Sequence, residues 1–349
     1  MEKKNESIES KLPALSPVIV AQSLSHQTAE KFDYPLQARP FVLKSLSAET
    51  RRSYEANLKA FFTFHSNKHP RQITASDVIF WRDRLIKEGS RPSTVATKLS
   101  TVRSFFDYLQ AAGEIKRNPA STKLVPPPEL PEGLSGRALT PQEVRYLLTA
   151  PDRSSAKGAR DYALMLLMAR TFLRVSEAAN LRVSAFHWSK GRWTLKVKVK
   201  GGRERTIPIP KDVKSAVDEY LRLDEESRRQ MKTGGADAFI FQAEVTKRFF
   251  GQNRPLTTRH IWHLVRRWAL FAGIGKVTPH DLRRTAITRA LDLGHTYRQV
   301  QNGSGHRHIQ SVQRYDHHRQ SLEDNSINFL NYDENFDEKN LSFSVMKFV

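Results

Sequence analysis

The stretch Arg192-Trp-Thr-Leu-Lys-Val-Lys-Val-Lys-Gly-Gly-Arg-Glu-Arg-Thr-Ile-Pro-Ile-Pro210 is where the hydrophobic period of the chain changes. Trp193, Leu195, Val197 and Val199 alternate with Thr194, Lys196, Lys198 and Lys200, the two-residue period of a strand with one apolar face. Gly201-Gly202 supplies a turn, and Thr206-Ile-Pro-Ile-Pro210 reads as a short return strand that its prolines confine to an edge. Beyond it the period is helical again, as in Ile261, Leu264, Val265 and Trp268. The expected fold is mostly α, with one small antiparallel sheet in its second half.

Upstream, three helical patterns precede a break. Tyr54, Leu58, Phe61 and Phe62 form one apolar stripe, Thr74 to Ile86 suggests a second helix, and Val95, Leu99, Val102, Phe106 and Leu109 mark a third. Val125-Pro-Pro-Pro-Glu-Leu-Pro-Glu-Gly-Leu-Ser-Gly136 can hold neither a helix nor a central strand, so it reads as the linker between two domains. Thr140-Pro-Gln-Glu143 then opens a helix with a capping box and a proline in the first position. Residues 1–40 lack periodicity and read as an extension. The expected plan is a helical domain over 41–124, a linker over 125–137, a larger domain over 138–326 and a tail over 327–349.

The chain has 349 residues, enough for two domains that each bury a core. Lys and Arg number 57 against 36 Asp and Glu, for a net charge of +21. By segment the charge is 0 over residues 1–40, +7 over 41–137, +18 over 138–315 and −4 beyond. The excess therefore belongs to folded regions and predicts a polyanionic partner held in a shaped groove. There is no Cys, which excludes disulfides, thiolate zinc sites and cysteine nucleophiles. No apolar run approaches a membrane span, and Met1-Glu-Lys-Lys-Asn-Glu-Ser-Ile-Glu-Ser-Lys11 lacks the apolar core of a secretory signal. A cytoplasmic protein with no membrane partner is expected.

Thr278-Pro-His-Asp-Leu-Arg-Arg284 places His280 and Arg283 one turn apart at the start of a helix. Alone this means little, because His263/Arg266 and His295/Arg298 repeat the spacing. Its context is more specific. Upstream lie Arg170-Thr-Phe-Leu-Arg-Val-Ser-Glu-Ala-Ala-Asn-Leu181 and the Lys200 hairpin, and downstream lies Gly303-Ser-Gly-His-Arg-His-Ile-Gln-Ser-Val-Gln-Arg-Tyr315. In this order and spacing the chain resembles the tyrosine recombinases, the phage-type integrases and Xer-like resolvases. The four motifs span residues 170–315, and the helices ending at Asn118-Pro119 resemble that family's SAM-like core-binding domain.

The resemblance implies roles residue by residue. Arg174 matches the first catalytic Arg, Lys200 the hairpin-turn Lys, His280 and Arg283 the H-x-L-R pair, His306 the G-H histidine, and Tyr315 the nucleophile. It implies cleavage of duplex DNA at specific sites through a 3′-phosphotyrosine, then rejoining, without metal or other cofactor, by a homotetramer on paired sites. The residue types suit that chemistry. Attack on a phosphodiester builds charge on nonbridging oxygens, which two guanidinium forks meet bidentately. A tyrosine of ordinary pKa near 10 needs a base, for which His280 is placed, and Lys200 can protonate the departing 5′ oxygen. His306 adds a hydrogen bond to the phosphate.

Lys98, Arg103 and Arg284 are expected to touch DNA. Arg284 stands where many relatives carry His, and Gly303-Ser304 replaces the usual Leu before the G-H pair. Leu293-Gly-His295 mimics that motif but lies twenty residues before Tyr315, so His295 reads as a decoy. His306, His308, His317 and His318 lack companion carboxylates or thiols and read as no metal site. The apolar segments of tail 327–349 are expected to dock into a neighbouring subunit. Two other readings fit the motifs: a recombinase-derived DNA-binding protein without cleavage activity, and a type IB-like topoisomerase. The intact set of six argues against the first, and the tail and compact first domain favour recombination over the second.

Overall fold

The structure is a computed structural model that describes residues 32–130, 136–198, 203–243 and 251–316. Lys200, the Gly201-Gly202 turn and tail 327–349 lie outside the described residues. The chain divides into two compact units, residues 1–132 and 133–349.

The first unit is helical. Helix α1 (Tyr34–Gln37) and α2 (Arg39–Leu43) lead into α3 (Ala48–Phe64), α4 (Ala75–Lys87) and α5 (Pro92–Ala111). Ser47 caps α3, Thr74 and Asp77 form a reciprocal capping box on α4, and Pro92 opens α5. The apolar stripes converge on one core in which Phe61 meets Trp81 edge-on at 5.0 Å and Phe41 meets Phe105 at 5.4 Å. That core starts earlier than residue 41. Phe32, Tyr34 and Ala38 are buried in it, with the Phe32 ring 4.5 Å from that of Phe62. Residues 32–40 therefore belong to the packed unit. Helices of four and five residues, each with a proline in its first turn, are too short to show a 3.6-residue period.

Arg103 does not reach outward from α5. Its Nε donates to the Ala120 carbonyl at 2.9 Å and its Nη2 to that of Val125 at 3.2 Å, fastening the chain after the helix onto the core. Two of its donors are thus committed within the unit, and the expected contact with DNA falls to its Nη1. Lys98 is half-buried on the same helix.

The second unit is built around α7 (Ala156–Thr171), most of which is buried. Before it, α6 (Pro141–Thr149) carries the Thr140–Glu143 capping box. After it come the short α8 (Val175–Ala179) and a three-stranded antiparallel sheet in the order β1-β2-β3, formed by β1 (Phe186–Ser189), β2 (Arg192–Lys198) and β3 (Glu204–Pro208). Strand β1 is absent from the sequence reading because four residues are too few to display alternation. Lys190 and Gly191 join it to β2 with φ of 50° and 73°, the left-handed pair of a two-residue hairpin turn. Helices α9 (Lys211–Leu223), α10 (Glu225–Gln230), α11 (Thr258–Phe271), α12 (Pro279–Asp292), α13 (Tyr297–Ser304) and α14 (Gln310–Gln313) complete the unit.

Asp161, fully buried on α7, joins that helix to α11. Its Oδ1 accepts from Arg160 Nε and Nη2, and its Oδ2 from Arg267 Nη2 and the Trp268 indole, all within 3.0 Å. Among the described residues no helix is long and apolar enough to cross a membrane.

Candidate active site

Helix α12 is started by Thr278, whose hydroxyl accepts from the Asp281 N–H while the Asp281 carboxylate accepts from the Thr278 N–H. Pro279 fills the first position, so His280 and Arg283 emerge from successive turns. Arg283 is 2% exposed, and its guanidinium donates to the carbonyls of Phe172 and Ser304, the latter at 2.9 Å. Phe172 ends α7 with φ of 56°, a left-handed conformation unusual for a bulky residue. That conformation turns the chain sharply before Arg174.

Arg174 precedes α8 and is held by Glu177 from the first turn of that helix. One carboxylate oxygen accepts from the Arg174 backbone N–H at 2.8 Å, the other from its Nη1 at 2.9 Å. Glu177 is nearly buried, whereas the Arg174 side chain stays 41% exposed. One face of that guanidinium is thus anchored and the rest is open to a ligand.

His306 follows the left-handed cap Gly305 of α13. Arg283 Nη2 lies 3.3 Å from its Nε2, and Ser304 Oγ lies 2.8 Å from its Nδ1. A guanidinium can only donate, so Nε2 is the acceptor and the ring proton sits on Nδ1, donated to Ser304 Oγ. That hydroxyl in turn donates to the Gln301 carbonyl at 3.4 Å. Burial and then the charges of Arg283, Arg174 and Arg205 push the His306 pKa down to about 4, so the ring is neutral at physiological pH. His280 is more open to solvent, yet desolvation and then Arg283 also hold it below the ordinary imidazole value.

Tyr315 follows α14 and is 4% exposed, packed with Ile287, Ala290, Val300 and Val312. Its ring centroid is 5.8 Å from that of His306, and its carbonyl accepts from Thr288 Oγ1 of α12 at 3.3 Å. The next residue, Asp316, accepts from the Tyr297 hydroxyl. Helix α12 therefore supplies His280 and Arg283 and also steadies the tyrosine.

The structure gathers Arg174, Arg283, His306 and Tyr315, with His280 beside them; Lys200 lies outside the described residues. Arg284 is 5% exposed, and its Nη1 donates to the Gly136 carbonyl at 2.8 Å, securing the entry to the second unit. His295 is exposed beyond the end of α12. Among the described residues no group of His, Asp and Glu could hold a metal ion.

One participant was missed. Arg205 of β3 donates to Glu177 Oε2 at 3.0 Å and to the Ser304 carbonyl at 2.9 Å, with a side chain 12% exposed. The signal was present in the hairpin register. Arg205 pairs with Val197 and Ile207 with Leu195, so a charged residue occupies the apolar face. Two guanidiniums thus share one carboxylate and a third, Arg283, lies within its electrostatic reach, leaving a surplus of positive charge beside a nearly buried tyrosine. Burial lowers the pKa of Arg205, and that of Arg283 to about 10, and both stay charged at neutral pH.

The profile described as "Phage integrase family" matches residues 137–321, and that described as "Phage integrase, N-terminal SAM-like domain" matches 41–113. The chain is 31% identical over 282 residues to the tyrosine recombinase XerD of Listeria monocytogenes, covering 79% of this chain and 90% of that one. Its fold is similar to that of the Tn1549 transposon integrase in complex with circular intermediate DNA, with a TM-score of 0.63 at 18% identity over 85% of this chain and 98% of that one. A lambda integrase tetramer bound to a Holliday junction gives a TM-score of 0.60 at 18% identity, over 80% and 74%.

Proposed function

This chain belongs to the phage integrase family of tyrosine recombinases, and from that premise we propose how its own residues cut and rejoin DNA at specific sites. The observation that carries the proposal is the surplus of guanidinium charge around Glu177, next to Tyr315 and with the face of Arg174 open. A pentavalent phosphorane and its flanking transition states place more negative charge on the nonbridging oxygens than the diester does. Donors fixed beforehand at that point lower the barrier without reorganising.

Tyr315 Oη attacks the scissile phosphorus, forming the 3′-phosphotyrosine and releasing the 5′ oxygen. Arg174 and Arg283 bind the nonbridging oxygens. His280, neutral because its pKa lies below the ordinary value, accepts the phenolic proton. Lys200 gives a proton to the leaving 5′ oxygen. His306 adds a hydrogen bond to the phosphate, its Nδ1–H passing from Ser304 Oγ to a nonbridging oxygen as the ligand arrives. The phosphotyrosine retains the energy of the diester, so rejoining to a new 5′ hydroxyl needs no cofactor.

The partner is duplex DNA, attracted by the +7 and +18 segments, and strand exchange takes place in a homotetramer on paired sites. The tetrameric state is argued from the lambda integrase assembly. The work is done in the cytoplasm, on the nucleoid. Tail 327–349 is the segment proposed to pass between subunits.

A nicked suicide duplex, which loses its 5′ fragment after cleavage, tests this reading. The expected result is a covalent protein–DNA adduct with wild type and none with Tyr315→Phe. A wild-type protein that forms no adduct on its cognate site overturns the reading.

A further inference from the structure

Arg174 precedes α8, Arg283 lies on α12 and the two share no hydrogen bond, yet in the proposed reaction both meet one phosphate. Arg205 touches the partners of both. Through Nη2 it shares the Glu177 carboxylate with Arg174, and through Nη1 it shares the Ser304 carbonyl with Arg283. Glu177 lies at the start of α8, Ser304 at the end of α13 and Arg205 on β3, so one planar fork ties three elements at the site. We propose that Arg205 is a positioning residue for strand cleavage, a bridge that fixes the separation and orientation of the Arg174 and Arg283 guanidiniums before DNA arrives.

A bridge of this kind needs two donors at a fixed angle. A lysine in its place keeps the charge but presents one rotating ammonium, which can serve Glu177 or Ser304 without fixing both. The alternative, a buried charge that merely fills space on the sheet, predicts that lysine or methionine would leave the geometry of Arg174 and Arg283 unchanged. With Nη1 on Ser304 and Nη2 on Glu177, Arg205 acts on cleavage through the two residues it positions.

The inference rests on the proposed cleavage chemistry, and two measurements separate its failure from failure of that reading. The first needs no activity. In the full-length protein, NMR relaxation of the arginine Nε–H groups reports how firmly each guanidinium is held. Arg205→Lys and Arg205→Met are expected to loosen Arg174 and Arg283 while Arg71, paired with Glu114 elsewhere, is unchanged. Unchanged order at Arg174 and Arg283 in both variants overturns the proposal, whatever the protein does to DNA.

The second is single-turnover adduct formation on the suicide duplex, alongside affinity for the uncut duplex. Both variants are expected to bind as wild type does and to cleave about 100-fold more slowly. When the scissile phosphodiester is replaced by an uncharged methylphosphonate, the deficit should shrink, because the paired guanidiniums have less charge to meet. A lysine variant that cleaves at the wild-type rate, or an equal deficit on both duplexes, overturns the proposal. Absence of an adduct with wild type overturns the cleavage reading instead, and the relaxation measurement still decides on Arg205.

Discussion

The Arg205 guanidinium lies over Gly305 so closely that a Cβ on that glycine would stand 1.9 Å from Nη1. Gly305 also has φ of 66°, the left-handed cap of α13, so two independent constraints fall on the residue preceding His306. Gly305→Ala should therefore cost more than the about 1–2 kcal/mol expected from left-handed strain alone. It must also push Arg205 off Ser304. We expect a lower unfolding temperature, and a loss of cleavage that persists at temperatures where the variant is fully folded. Calorimetry together with the suicide-duplex assay checks both.

Glu177 holds Arg174 and Arg205 at once, and among the described residues its carboxylate is the negative group that pairs with these guanidiniums. Glu177→Gln keeps its shape and removes that charge. Binding to DNA should hold or strengthen, since an anion leaves a site for anions. Cleavage should fall by about 100-fold as the arginines lose their fixed orientation. Parallel measurement of affinity and single-turnover rate gives the test. A fall in affinity with an unchanged rate would show that Glu177 serves folding only.

The two histidines set a pH dependence. In the proposed reaction His280 accepts the tyrosyl proton and must be neutral to do so, and its pKa lies below the ordinary 6.5. The cleavage rate should therefore hold as pH falls through 6.5 and drop only in more acidic solution. His306 is held at about 4 in the folded protein, so between about 6.5 and 4 the unfolded chain binds the extra proton. The stability this site contributes is complete above 6.5 and is lost as pH falls toward 4. Imidazole NMR titration gives both values directly, and denaturant midpoints across the same range give the sign. In His306→Asn that acid loss should be smaller.

Several features were legible in the sequence because they are local. The alternation over Trp193–Val199, the Thr140–Glu143 box, the Thr278-Pro279 helix start and the spacing from His306 to Tyr315 each lie within a few residues of one another. Other features were not, because they depend on what a side chain meets across the fold. Arg103, Arg205 and Arg284 are alike in sequence to the basic residues of a DNA-facing surface. All three donate to backbone carbonyls of their own unit, and only the register of β3 gave any hint of it. Composition counts a charge but does not say which way it points, so part of the net +21 holds the protein together.

The start of the first unit leads to a further prediction. Phe41 is fully buried between Tyr54 and Phe105, with centroids at 4.9 and 5.4 Å, and Phe32 lies against Phe62. Phe41→Ala should destabilise the first unit by about 3–5 kcal/mol. A chain beginning at residue 41 loses Phe32, Tyr34 and Ala38 from the same core and should fare worse. Two-domain unfolding separates this from damage to the site: the first unit's transition should move to lower denaturant while the second stays in place.

The same experiment, turned on the second unit, examines the Asp161 network. Asp161→Ala removes a carboxylate with four donors at its two oxygens and leaves Arg160, 4% exposed, without its ion-pair partner. Breaking a buried pair from one side costs about 3–5 kcal/mol, because the remaining charge cannot reach water. Asp161→Asn keeps an acceptor oxygen for the arginine and should cost less. The transition of the second unit alone should shift, more for Ala than for Asn. Equal shifts would mean that charge, and not hydrogen-bond geometry, joins α7 to α11.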